Sequence, residues 1–304
     1  MNLLKPGYYQ QFQCIAGRCK HSCCVGWEID IDEETYLRYQ SFSGPLGERL
    51  QEHISVENTP HFILDDKERC PFLNEDNLCD IILEKGESAL CQICTDHPRF
   101  RNFYTHYTEI GLGLCCEAAG ELILSQKERF FVPEADEMLL TEEEKCFFRF
   151  RKEIFRMIQE REFSLKQRVE NLLSKYQMSF PDKSNQEWAD IFLSLERLDE
   201  TWGRLLREFS LSEELLPLGK EWEIPLEQLL CYFVYRHLAQ GLSDGCCRER
   251  ILFSVLGLWM VSSLFRMVSS GGFSMDKLVE IARLYSSEIE YSEENIQALL
   301  KLFE

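Results

Sequence analysis

The chain has 304 residues, 45% of them apolar and 28% charged, and a formal net charge of −19. This composition supports a folded core of one large or two ordinary domains and excludes a disordered polymer. The acidic balance argues against a nucleic-acid surface, which needs clustered Lys and Arg.

The first ten residues, Met1 to Gln10, contain no apolar signal core, so a secretory leader is not expected and the reading is a cytoplasmic protein. Up to about residue 123 the chain is punctuated by Gly44-Pro45, Gly47, Pro60, Pro71, Gly86 and Pro98. That texture fits a backbone fixed by ligands rather than by a large core. One early helix is predicted, capped by Asp32, carrying Thr35, Tyr36, Leu37 and Tyr39, and ending before Ser43-Gly44-Pro45. The segment 120–137 is the join, with Leu122, Ile123, Leu124, Phe130 and Phe131 buried.

Helices follow. Thr141 and Glu144 form a capping box ahead of Phe147, Phe150, Ile154 and Ile158. Ser164 opens a second helix, and a third runs from Trp188 through Leu195 and Trp202 to Leu206. Pro225 stands in the first turn of the next. The apolar stretch 251–265 is fifteen residues long, short of the roughly 20 that span a bilayer, and is read as a core helix that stops at Ser269-Ser270-Gly271-Gly272. Two more helices are predicted over Met275–Tyr285 and 293–303. The predicted fold is mainly α, with an irregular cysteine-rich metal-binding part (residues 1–124) packed on a C-terminal helical bundle (residues 125–304).

Fourteen cysteines are present, ten of them between Cys14 and Cys116. In a reducing compartment such a number points to metal rather than to disulfides. Cys14, Cys19, Cys23 and Cys24 form one group, Cys70 and Cys79 a second, Cys91 and Cys94 a third, and Cys115-Cys116 the last. Groups of thiolates suit tetrahedral zinc or an iron–sulfur cube. Only Cys91 and Cys94 have zinc-ribbon spacing, and Gly26 occupies the third position of a radical-type three-cysteine signature. Adjacent cysteines diverge, so one of each such pair serves another centre or packs. Cys146, Cys231, Cys246 and Cys247 read as core residues. His21 and His97 stand close to cysteines, but structural roles are the default for all six histidines.

The strings Phe12-Gln13-Cys14-Ile15-Ala16-Gly17-Arg18-Cys19 and Ser22-Cys23-Cys24-Val25-Gly26-Trp27 resemble the opening motif of the flagellin lysine-N-methylases. Cys70-Pro71-Phe72-Leu73 with Leu78-Cys79, Gly86-Glu87 leading through Leu90 to Cys94 and Pro98-Arg99, and Cys115-Cys116-Glu117-Ala118-Ala119 are similar to later blocks of that family. The residues 226–238, with Tyr232, Tyr235 and Arg236, are similar in character to its C-terminal helical segment. Carried over position by position, the family-type metal ligands are Cys14, Cys19, Cys23, Cys24, Cys70, Cys79, Cys94 and Cys115. Cys91 is extra, His97 stands where Tyr is usual, and Cys116 stands where Pro is usual. The resemblance implies a methyltransferase that moves a methyl group from S-adenosylmethionine to flagellin lysines and carries a 4Fe–4S cluster. A more distant likeness is to small cysteine-rich zinc- or iron-chelating domains.

Methylation needs a neutral lysine amine, whose free pKa is about 10.4, and so a proton acceptor and an aromatic-lined channel. Glu117 is a candidate acceptor, Tyr104 and Tyr107 are candidates by residue type, and Trp27 is a candidate on the cofactor side. Gly111-Leu112-Gly113 lacks the third glycine of a dinucleotide-binding turn, which argues against a Rossmann domain. Two readings from another class remain, a non-enzymatic zinc- or iron-binding module with a helical partner surface and a zinc-stabilised adaptor.

Overall fold

The computed structural model describes residues 2–212, 219–269 and 272–304. The chain forms two compact units, one of Gln13–Arg99 and one of Met1–Phe12 with Phe100–Glu304. The expected division at 124/125 therefore falls elsewhere, because backbone pairing ties the chain's start to a later strand. Asn2–Leu4 runs parallel to Tyr107–Leu112, with Asn2 opposite Tyr107, and Arg99–Phe103 lies on that strand's other side. Helix Glu117–Leu124 then packs on Met275–Tyr285 and on Glu223–His237.

The larger unit is helical. Thr141 and Glu144 complete their capping box at the head of Glu142–Ile158, and Ser164 does the same with Gln167 for Leu165–Lys175. The helix expected from Trp188 to Leu206 is instead two, Asn185–Ser194 and Glu200–Ser210. The break is held from a distance. The buried Glu288 carboxylate accepts from Leu198 N at 2.9 Å and Asp199 N at 2.7 Å, and Asp199 caps the second helix. Phe131, expected inside, is 60% exposed, whereas Ile123, Leu124 and Phe130 are buried. Cys231 is buried as expected, but Cys146 is exposed and Cys246 and Cys247 lie part-way out.

Helix Cys247–Val268 has 22 residues, which at 1.5 Å each gives about 33 Å. It is long and apolar enough to cross a membrane, which corrects the fifteen-residue reading, and 78% of its most apolar window is buried inside the protein. It packs between Glu223–His237 and Met275–Tyr285. Ser270 and Gly271 of its expected stop signal lie outside the described residues. Gly111 serves packing rather than phosphate binding, since a Cβ there would stand 2.1 Å from the Phe100 ring.

Buried carboxylates held by arginines recur in this unit. Arg151 Nη1 donates to Glu109 Oε2 at 2.8 Å and to the Tyr104 hydroxyl at 3.1 Å, while Nη2 donates to Glu109 Oε1. Glu227 takes bonds from Arg161 and Arg168 in the same way.

The smaller unit is built of short elements. Asp32 Oδ1 accepts from Thr35 N at 2.9 Å and caps helix Glu33–Gln40. Gly44-Pro45, read as punctuation, opens a further helix, Pro45–Glu52, with Pro45 in its first turn. Ile54–Ser55 pairs antiparallel with His61–Phe62, and helices Asp80–Lys85 and Gln92–Asp96 follow. The core is small: Ile29, Ile31, Tyr39, Leu46, Leu50, Phe62, Phe72, Ile81 and Ala89, completed by Cys70 and Cys91.

Removing one partner of a buried pair strands the other charge. Arg151→Leu is expected to cost about 3–5 kcal/mol in denaturant melts, and the double variant with Glu109→Leu to recover part of that loss.

Candidate functional site

In the smaller unit the backbone brings cysteines from distant segments together. Cys70 N donates to Cys24 O at 2.8 Å, and the neighbouring Val25 and Arg69 form an antiparallel bridge. Between Cys70 and Cys79 the chain folds into a tight knuckle. Leu73 bridges Cys79, Asn74 N donates to Leu78 O at 2.9 Å, and Asn74 Oδ1 accepts from Asp76 N and Leu78 N. Asn77 takes the left-handed conformation this turn requires, at φ 56°. Cys79 then starts helix Asp80–Lys85, and Cys91 starts the helix that carries Cys94.

The thiols Cys24, Cys70, Cys79, Cys91 and Cys94 lie within electrostatic reach of one another. A hydrogen bond from the Cys23 thiol brings Cys24 down to about 7. The Cys94 thiol donates to Cys91, which lowers Cys91 and raises Cys94. Burial pushes Cys70 up to about 12 and also raises Cys79. Cys24 and Cys91 are therefore the thiols readiest to ionise. Cys91, which has no counterpart in the family pattern, is fully buried and pairs with Cys94.

The remaining expected ligands are placed differently. Cys14 Sγ accepts from Ala16 N at 3.4 Å, and the Cys19 thiol donates to His21 O at 3.3 Å. Cys115 belongs to the larger unit. Burial pushes His97 down to about 4, which keeps it neutral. Trp27 Nε1 donates to Cys23 O at 2.6 Å, and its ring faces His97 at 6.2 Å. Among the described residues, no three His, Cys, Asp or Glu side chains are gathered closely enough to hold a metal ion. A single tetrahedral ion, with metal–sulfur bonds of about 2.3 Å, would need its sulfurs within about 4 Å of one another. These thiols do not form such a ready-made zinc site.

The larger unit holds a second constellation. The strand Tyr107–Leu112 delivers Cys115 and Cys116, and Cys116 stands at the N-cap of helix Glu117–Leu124. Glu117 is half-buried in the first turn of that helix. The Cys115 thiol, pushed by burial to about 11, hydrogen-bonds Tyr291. Arg236 stacks on the rings of Tyr291 and Phe100, with centroid distances of 4.6 and 5.2 Å. Its Nη1 donates to the Tyr232 hydroxyl at 2.9 Å. That hydroxyl donates to Glu290 Oε2 at 2.8 Å and accepts from Leu114 N at 3.2 Å. His237 Nε2 stands 2.5 Å from Glu290 Oε1.

Glu290 ends a π-helical turn, Ser286–Glu290, a local widening that brings its carboxylate to these partners. Burial alone would raise its pKa, but Arg236 and His237 outweigh burial and hold it at about 2. Burial keeps His237 below its usual value and so neutral. The sequence reading left this hub unseen. Its trace is the 232/236 spacing on one helix, and the carboxylate partner lies more than fifty residues away. Tyr104 and Tyr107, by contrast, are occupied. The Tyr104 hydroxyl donates to Glu109 Oε2 at 3.0 Å, and the Tyr107 hydroxyl accepts from Asp136 N at 2.9 Å.

Glu290 has a folded pKa below the unfolded Glu value of about 4.3. Its contribution is present above that value and is lost as pH falls toward 2. His237, held below about 6.5, adds a loss of the same sign on acidification. Denaturant melts across pH should show stability falling from about pH 6.5 down to pH 2. Glu290→Gln should be weaker by about 3 kcal/mol at pH 7 and show a flatter acid limb.

Residues 112–304 match the family described as the FliB lysine N-methylase C-terminal domain. The chain is 27% identical over 141 residues to the lysine-N-methylases of Salmonella typhimurium and Salmonella choleraesuis, covering 44% of this chain and 35% of each relative. It is also 27% identical over 135 residues to the flagellar biosynthetic protein FliU of Salmonella muenchen, covering 42% of this chain and 80% of that relative. The chain thus matches about a third of the length of the two lysine-N-methylases. No solved structure matches. The family match spans well over half of the sequence, and the chain belongs to the FliB lysine N-methylase family.

Proposed function

We propose that this protein is a protein-lysine N-methyltransferase that takes its methyl group from S-adenosylmethionine and acts on flagellin, with an iron–sulfur cluster bound in Gln13–Arg99. The observation that carries the reading is the family match over residues 112–304. The names of the Salmonella relatives support lysine as the target and a flagellar substrate.

Donor chemistry supports the cluster. A four-iron cube carries its thiolates on separate corners, so it spaces them more widely than a single ion does. Cys24, Cys70, Cys79, Cys91 and Cys94 offer thiols within electrostatic reach of one another, and Cys24 and Cys91 ionise most readily. Of the eight family-type cysteines, Cys24, Cys70, Cys79 and Cys94 are the four proposed holders, with Cys91 hydrogen-bonded beside Cys94. When bound, the cluster supplies electron-transfer capacity or Lewis acidity.

The chain's own residues have the task of desolvating the lysine and taking its proton. Glu117 is the proposed acceptor, since it is a half-buried carboxylate in the first helical turn directly after the Cys115-Cys116 pair. The net charge of −19 favours approach of lysine-bearing segments.

The protein purified without oxygen, mixed with labelled S-adenosylmethionine and flagellin from the same host, should yield methylated lysines by mass spectrometry. Glu117→Gln should lower the rate about 10²–10⁴-fold while the fold is kept. Iron-loaded protein that transfers no methyl would favour the non-enzymatic metal-binding module. Colourless protein with stoichiometric zinc would contradict the cluster and favour a zinc-stabilised adaptor.

A further inference from the structure

Residues 113–116 form the turn between strand Tyr107–Leu112 and helix Glu117–Leu124. Leu114 is buried there, past the end of the strand, so its backbone N–H needs a partner from outside the sheet. That partner comes from 118 residues downstream: Leu114 N donates to the Tyr232 hydroxyl at 3.2 Å. Tyr232 is fully buried. Its ring packs on Phe233 at a centroid distance of 5.4 Å and meets Phe100 edge-on at 6.2 Å.

The direction of each bond at that oxygen follows from its single proton. A phenol hydroxyl gives one proton and accepts two. Leu114 N and Arg236 Nη1, the latter at 2.9 Å, can only donate, so they fill both acceptor positions. The proton is left for Glu290 Oε2 at 2.8 Å. Glu290 is held in turn, with His237 Nε2 at 2.5 Å from its Oε1 and Arg236 Nη2 donating to its backbone oxygen at 3.1 Å. A hydroxyl with all three positions filled cannot rotate. It ties Leu114 to helix Glu223–His237 and to the π-helical turn Ser286–Glu290 together. Tyr235, equally buried on the same helix, differs: its hydroxyl donates to Ile110 O at 3.4 Å, inside the strand rather than at the turn.

We propose that Tyr232 is a positioning residue: its hydroxyl, oriented by Glu290, braces the backbone at Leu114 and so sets where Cys115, Cys116 and Glu117 stand for methyl transfer. The inference rests on the methyltransferase reading above, with Glu117 as the proposed acceptor. Tyr232 is sealed in the core and acts through the turn. Reacting groups must be held to within about 0.5 Å, and a misplacement of about 1 Å costs about 10²-fold in rate.

The test compares the full chain, purified without oxygen, as wild type, Tyr232→Phe and Tyr235→Phe, two variants that lose the same atom from one helix. Hydrogen exchange of peptides spanning 113–117, read by mass spectrometry, should quicken about tenfold in Tyr232→Phe, the effect of one lost hydrogen bond. It should stay at the wild-type rate in Tyr235→Phe. Methyl transfer to flagellin by Tyr232→Phe should fall about 10²-fold in kcat with KM little changed. In a Glu117→Gln background the same substitution should add little further loss, because Tyr232 acts through the turn that carries Glu117. Should Tyr232→Phe fail to fold, fluorotyrosine at position 232 keeps the shape and weakens the oxygen as an acceptor, and exchange at 113–117 should still quicken. Equal exchange at 113–117 in the two phenylalanine variants, or a full further loss on top of Glu117→Gln, overturns the brace. Wild type that transfers no methyl overturns the methyltransferase reading and the catalytic purpose of the brace with it, while the exchange rates separately decide whether Tyr232 holds the turn.

Discussion

Burial of thiols beside other thiols is the constraint on which the smaller unit turns. Residues 13–99 share a core of few side chains, two of which are cysteines, with Cys24, Cys79 and Cys94 packed against it. A core that small contributes little beyond the entropy of ordering its loops and short helices, so a staple of another kind is needed. Hydrogen bonds from Cys23 to Cys24 and from Cys94 to Cys91 already favour ionisation of one thiol in each pair. The knuckle between Cys70 and Cys79 and the bridge from Val25 to Arg69 follow the same logic, since each fixes backbone next to a sulfur.

The larger unit solves its problem differently. Its core runs through helices Glu223–His237 and Cys247–Val268, both buried on nearly every side. Three buried carboxylates, Glu109, Glu227 and Glu290, are each met by arginine. Ion pairs of this kind add little net stability over apolar packing, but they punish misalignment, because a shifted helix strands a charge. They fix the register of the helices around the strand that delivers Cys115 and Glu117.

Local signals in the sequence were legible where the physics is local. Asp32, Thr141 and Ser164 each open the helix that their side-chain oxygen predicts, since a cap depends on residues three apart. The break between Asn185–Ser194 and Glu200–Ser210 was not legible, because Glu288 imposes it from 90 residues downstream. The 251–265 stretch was read as too short because its polar first turn, Cys247 to Arg250, hides the helix's true start. Cysteine spacing exposed the thiol-rich region. It did not show that Cys91 is buried and paired with Cys94, which depends on how Asp32 and Arg38 grip the chain around it. The Glu290 hub joins two helices far apart in the chain, so no spacing announces it.

On the proposed reading, order in residues 13–99 depends on a centre held by thiolates, while residues 100–304 are held by their own core and ion pairs. Hydrogen exchange of the full chain by mass spectrometry, with the metal in place and after removal by a chelator under reducing conditions, tests this most directly. Chelation is expected to collapse protection around Cys24, Cys70–Cys79 and Cys91–Cys94 and to leave helices Glu223–His237 and Cys247–Val268 protected. Unchanged protection in residues 13–99 after the metal is gone would contradict it.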